Sequence, residues 1–180
     1  MDPIKLVIER ALVTMMTVEP SSSDLDSLFE ALKRVDGKVD HSGIESQIWD
    51  IWCSHSEIAA ERSMATVLSL VDAGELEAAS EEADRLVEGW PGWAEAWNKR
   101  ATIRFIEGRE AESGTDIIET LAREPRHFGA ISGLGQICLN VGDGPSALMC
   151  FEQLLYINPT SDIAKQVVKA IKEQSPEFLH

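Results

Sequence analysis

AEAWNKRATIRFIEGREAESGTDIIETLAREPRH, residues 94–127, holds Trp97, Ala101, Gly108, Ser113, Ile117 and Pro125, and the chain on either side of it repeats that outline. Gly74, Gly108 and Gly142 stand 34 residues apart, as do Pro91, Pro125 and Pro159. Ala79, Ser113 and Ala147 keep the same step, and so do Val67, Ala101 and Gly135. Four kinds of position held in one register through three units define a repeat, and a repeat governs every other reading of the chain.

The unit has a physical logic. A first helix stops at the glycine, which suits the left-handed backbone that a helix C-terminus demands. Glu75, Arg109 or Asp143 follows in the turn. A second helix packs back on the first, and the small Ala79, Ser113 or Ala147 lets the two come close. The proline then closes the second helix, which it cannot continue. Each hairpin is apolar on two faces and must stack on neighbours to bury both.

This pattern resembles the tetratricopeptide repeat (TPR) family. The second repeat carries it best, and the third matches through Leu134, Gly135, Gly142, Asp143, Ala147, Phe151 and Pro159. The first, residues 60–93, is looser, with Ser63 for the large aromatic and Ala83 for the usual Phe. The resemblance implies an all-α solenoid, a right-handed superhelix of antiparallel helix pairs, with repeats at 60–93, 94–127 and 128–160. Residues 161–180 then supply a capping helix and tail, with Lys165, Lys169 and Lys172 outward. Upstream, 21–59 reads as a helical hairpin with Leu25, Leu28, Phe29 and Leu32 on one helix and Ile44, Ile48, Trp49, Ile51 and Trp52 on the other. That hairpin ahead of the repeats is similar to a group of small single-domain bacterial-type TPR proteins, many of which carry an export signal.

Residues 1–20 follow helical spacing through Ile4, Val7, Ile8, Ala11, Leu12, Met15 and Met16. Asp2 caps this helix, Pro3 opens it, and Glu19-Pro20 with Ser21, Ser22 and Ser23 end it. The helix is expected to lie on the main body or on a second copy. Asp2 and the Glu9-Arg10 pair spoil a good secretory signal, and three acids in twenty residues a good transit peptide; the alternative reading is a degenerate targeting segment for an exported or organellar protein.

The net charge of −15, from 31 acidic and 16 basic residues, repels phosphate backbones and anionic lipid. Nucleic acid is therefore not an expected partner, and no stretch is apolar for long enough to span a membrane. Residues 1–93 hold 19 acids against 7 bases, whereas residues 127–159 hold only Asp143 and Glu152 and no Lys or Arg. Cys53, Cys138 and Cys150 form no CxxC and read as buried apolar residues in a reducing, cytoplasmic setting.

Catalytic signals are weak. Gly129, Gly133 and Gly135 look like a phosphate-cradling loop, but no strand precedes them, and the counterparts of Gly135 are Val67 and Ala101. The histidines His41, His55, His127 and His180 have no metal-site spacing, and His127 reads as a turn residue at a helix start. The acids Glu75, Glu77, Glu81, Glu82, Asp84 and Glu88 read as a solvated outer face, without the pocket that paired catalytic carboxylates need. Trp49, Trp52, Trp90, Trp93 and Trp97 read as packing between the front hairpin and the second repeat. No catalytic residue, metal ligand or cofactor is expected.

The resemblance implies a non-enzymatic scaffold whose first helices line a concave groove for a peptide or helix of a protein partner. By register, the groove residues are Glu61, Met64, Leu68 and Val71; Glu95, Asn98, Lys99, Thr102 and Phe105; and Gly129, Ser132, Gly133, Gln136 and Asn140. Asn98, Gln136 and Asn140 can pair with a ligand backbone. The family's carboxylate clamp is not expected, since Met64, Leu68, Lys99, Gly129 and Gly133 fill its positions. The alternative is self-association into a homo-oligomer through the N-terminal helix and the neutral third repeat.

Overall fold

A computed structural model describes residues 2–20, 24–34 and 40–174, and every regular element among them is helical. In chain order they are α1 (Pro3–Thr17), α2 (Asp26–Leu32), α3 (His41–Cys53), α4 (Ile58–Asp72) and α5 (Leu76–Gly89). There follow α6 (Ala94–Ile106), α7 (Glu110–Arg123), α8 (Phe128–Asn140), α9 (Gly144–Ile157) and α10 (Asp162–Gln174). The serines at 21–23 and the tail beyond 174 lie outside the described residues.

The 34-residue step of the glycines has a direct cause: Gly74, Gly108 and Gly142 each adopt φ +75°. Each ends a first helix in the same double hydrogen bond. The amide of Gly74 donates to Val71 O and that of Glu75 to Leu70 O, with matching pairs at Gly108/Arg109 and Gly142/Asp143. This arrangement satisfies carbonyls that the helix end would otherwise strand. Ala79, Ser113 and Ala147 are buried where the second helix crosses the first, and Ser113 Oγ donates to Ala101 O at 2.8 Å.

Paired helices α4–α5, α6–α7 and α8–α9 stack in order, α10 packs on α9, and the first helices α6 and α8 touch directly. Across α5, α6 and α7 runs a charged seam. Arg100 and Arg104 each reach both Asp84 and the fully buried Asp116, with N–O distances of 2.8–3.5 Å. Asp84 is therefore a bridging group rather than part of a solvated face. Glu82 turns inward too, accepting from Ser63 Oγ at 2.5 Å and from Arg85 Nε at 2.8 Å. The apolar core forms two clusters. One belongs to α4, α5 and the adjoining Trp93, Ala96 and Ile103; the other takes in α1–α3 and the later repeats.

The first three helices wrap the stack. Asp2 accepts from Ile4 N and Pro3 opens α1, whose Ile8, Ala11 and Met15 are buried. α1 packs on α7 of the same chain, with lesser contacts to α8 and α9. The approach needs Gly114, since a β-carbon there would sit 2.5 Å from Val7 Cγ1. The α2–α3 hairpin lies across the connections between repeats. Asp26 pairs with Arg126 at 2.8 Å, Trp93 Nε1 donates to Trp52 O at 2.7 Å, and Glu45 accepts from Asn158. The charge-poor stretch 127–159 packs against α7, α10, α1 and α3, while Gln136, Asn140, Met149 and Tyr156 stay exposed.

Candidate partner-binding groove

The start of α6 builds the most concentrated polar cluster. Glu95 is fully buried, and its carboxylate meets Lys99 Nζ at 2.8 Å, Asn98 Nδ2 at 3.0 Å and His127 Nε2 at 2.9 Å. Cys53 Sγ lies 3.9 Å away. His127 is the N-cap of α8, its Nδ1 accepting from Ala130 N, and its ring stacks on Trp52 at 4.1 Å. Burial pushes the Glu95 carboxyl up, but the hydrogen bond from His127 Nε2 and the charge and hydrogen bond of Lys99 outweigh it and hold the group below the usual carboxylate range. Although Cys53 is exposed as a residue, partial desolvation of its thiol and the neighbouring Glu95 push that thiol up, so this cysteine is a poor nucleophile. Cys138 and Cys150 are buried as expected, whereas Cys53 is exposed because α3 ends at the surface.

Beside this cluster, between α6 and α8, lies a pocket of about 120 Å³. It is lined by Asn98, Ala101, Thr102, Phe105, Ser113, Ile117, Gly129, Ala130 and Gly133. Of the groove residues expected from register, Asn98, Thr102 and Phe105 meet here with both glycines. Leu68, Thr102, Gln136 and Asn140 are exposed, and Ser132 is half-buried. Gln136 Nε2 donates to Asn140 Oδ1, and Asn140 Nδ2 donates to Glu110 at 2.8 Å. Lys99 is held by Glu95 and sits 5.7 Å from the Trp49 ring.

Three expected groove residues lie inside instead. Met64 is in the core of the first repeat, Glu95 is covered by α3, and Asn98 is buried with its amide donating to Glu95. Trp49, Phe128, Glu45 and Asn158, which border a neighbouring cavity, were not among the register positions. They come from α3 and the repeat connections, which the 34-residue pattern does not order in space. Among the described residues, no three His, Cys, Asp or Glu side chains gather closely enough for a metal ion, and no helix is long and apolar enough to cross a membrane.

Stacked helix pairs of this kind define an α-solenoid, a class that supplies protein-interaction surfaces. A TPR repeat-containing protein from Rhizobium etli is 33% identical to this chain over 150 residues, covering 83% of the chain and 74% of the relative. No family model matches. On the strength of that relative, the chain belongs to the tetratricopeptide repeat family.

Proposed function

We propose that this protein is a non-enzymatic adaptor that holds an extended peptide or a helix of a partner protein against α6 and α8. The observation that carries this reading is the pocket between the two helices. Its lining is mainly apolar; of its polar members Thr102 is exposed, whereas Asn98 is buried and donates to Glu95. Few polar groups around an apolar concavity are what a side-chain anchor needs. Gln136 and Asn140, exposed further along α8, offer amides to a ligand backbone. The three free thiols fit a reducing, cytoplasmic setting. The alternative, self-association, keeps its own support: the inner stripe of α1 is spent on α7, but Leu6, Val13 and Met16 of that helix and Met149 and Tyr156 of the third repeat are exposed.

The test is affinity capture from native lysate with wild type beside Thr102→Arg/Gln136→Arg, both shown to be folded by circular dichroism. A protein retained by wild type and lost by the variant supports the groove. Recovery of the chain's own copies alone, equally with both baits, overturns it in favour of self-association.

A further inference from the structure

The groove has a second compartment on the other flank of α8. A cavity of about 240 Å³ is bounded there by Glu45, Trp49, Phe128, Ser132, Asn158 and Ile163, among others. Gly129 lines both cavities. The ridge of α8 between them is Gly129, Ser132 and Gly133; the Trp49 ring lies against Gly129, so a peptide backbone crosses over Ser132 and Gly133, where the side chains are small.

The two compartments differ in chemistry. The first is small and apolar. At about 120 Å³ it is below the roughly 150 Å³ of a cavity that takes a benzene ring, so it suits an isopropyl, isobutyl or pyrrolidine group. The second is twice as large and joins the rings of Trp49 and Phe128 to the carboxylate of Glu45. Among the described residues, no lysine or arginine lines either cavity. Lys99 is paired with Glu95 and lies 5.7 Å from the Trp49 ring without lining the cavity, and Lys165 is held by Asp162 and Thr160 O. A carboxylate beside aromatic faces favours a cationic side chain. Electrostatic complementarity extends outward, since the chain is strongly acidic and α3 carries Glu45 and Asp50 with no Lys or Arg.

Resting on the groove reading above, the geometry points to a specific ligand: an extended peptide with a small aliphatic or proline side chain in the first compartment and Arg or Lys in the second. The compartments stand on opposite flanks of one helix, about 10 Å apart. An extended chain in the polyproline II conformation covers that distance in about three residues and, with roughly three residues per turn, turns positions i and i+3 to the same face. The recognised pattern is therefore a small apolar residue and a basic residue three positions apart in a segment poor in acids.

The experiment selects phage-displayed random dodecapeptides on the full chain, with Gly133→Leu in a parallel selection. Leucine at 133 fills the first compartment and improves helix propensity, and a melting curve checks that the variant is folded. The expected outcome is enrichment of the aliphatic–basic pattern on wild type and its loss on Gly133→Leu. A synthetic peptide of that pattern should bind about tenfold more tightly than its Arg→Glu twin, and Glu45→Gln should shrink that ratio. An enriched pattern that is acidic or uncharged, yet still lost on Gly133→Leu, overturns the proposed ligand and leaves the groove standing. The same peptides on wild type and Gly133→Leu overturn the groove itself, and no enrichment on wild type overturns both.

Discussion

His127 Nε2 stands 2.9 Å from Glu95 Oε2 with both side chains wholly buried, and the pair clasps the starts of α6 and α8 beneath Trp52. It fixes the spacing of the helices that flank the small pocket, and it gives the α2–α3 hairpin an aromatic seat.

Removing one partner of this pair should be costly. His127→Ala leaves the Glu95 carboxylate buried and strips the stack on Trp52, a loss of about 3 kcal/mol in urea unfolding. The pH dependence follows from the lowered Glu95 carboxyl. Because its folded pKa lies below the unfolded one, its stabilisation is whole above about pH 4.5 and drains away as pH falls through the folded value. Glu95→Gln should be less stable than wild type at neutral pH, and the gap should narrow in acid. A gap constant from neutral pH to pH 3 would refute this assignment.

The charged seam gives a graded comparison. Asp116→Ala strands Arg100 and Arg104, whose side chains are largely covered, and should cost about 3–5 kcal/mol. Asp84 binds the same arginines but is half exposed, so Asp84→Ala should cost about 0–1 kcal/mol. Equal losses in chemical denaturation would mean that the seam is not carried by the buried carboxylate.

Gly114→Ala would normally strengthen a helix by about 1 kcal/mol. Here the added methyl meets Val7 Cγ1, so the expected result is a loss of about 1–2 kcal/mol, recovered when Val7→Ala is combined with it. A double-mutant cycle read by thermal unfolding checks the coupling. Additive effects would show that α1 does not seat on Gly114.

Two glycines in α8 should respond in opposite directions. A β-carbon at Gly135 would sit 2.7 Å from the Phe151 ring and 3.2 Å from Cys150 Cβ, so Gly135→Ala should cost about 1–3 kcal/mol. At Gly133 the nearest atom is Ile117 Cδ1 at 3.4 Å, an ordinary contact. Gly133→Ala should therefore raise stability by up to about 1 kcal/mol. Melting temperatures of the two variants, measured side by side, decide it.

The repeats were readable from sequence because each of their signals is local. Glycine, small residue and proline recur at fixed steps, and each acts within a turn or two of its own position. The phosphate-loop look of α8 dissolved for the same reason, since Gly135 falls where α9 crosses. What resisted reading was set by distant partners. Glu95 shares its register with Glu61, yet only Glu95 is sealed in, by α3 from more than forty residues upstream. Asp84 and Glu82 look like a solvated run until Arg100, Arg104 and Ser63 are placed opposite them. The second cavity owes its walls to Trp49 and Glu45, whose placement rests on contacts with His127, Phe128 and Asn158 rather than on any periodic pattern.

The seating of α1 on α7 also imposes a timetable. Val7 leaves the ribosome well before Gly114, and at about 5–20 residues per second the interval is of the order of ten seconds. Each helix pair can close as it emerges, but α1 must wait for a partner that has not yet been made. During that interval Ile8, Ala11 and Met15 lack the surface that buries them in the folded chain.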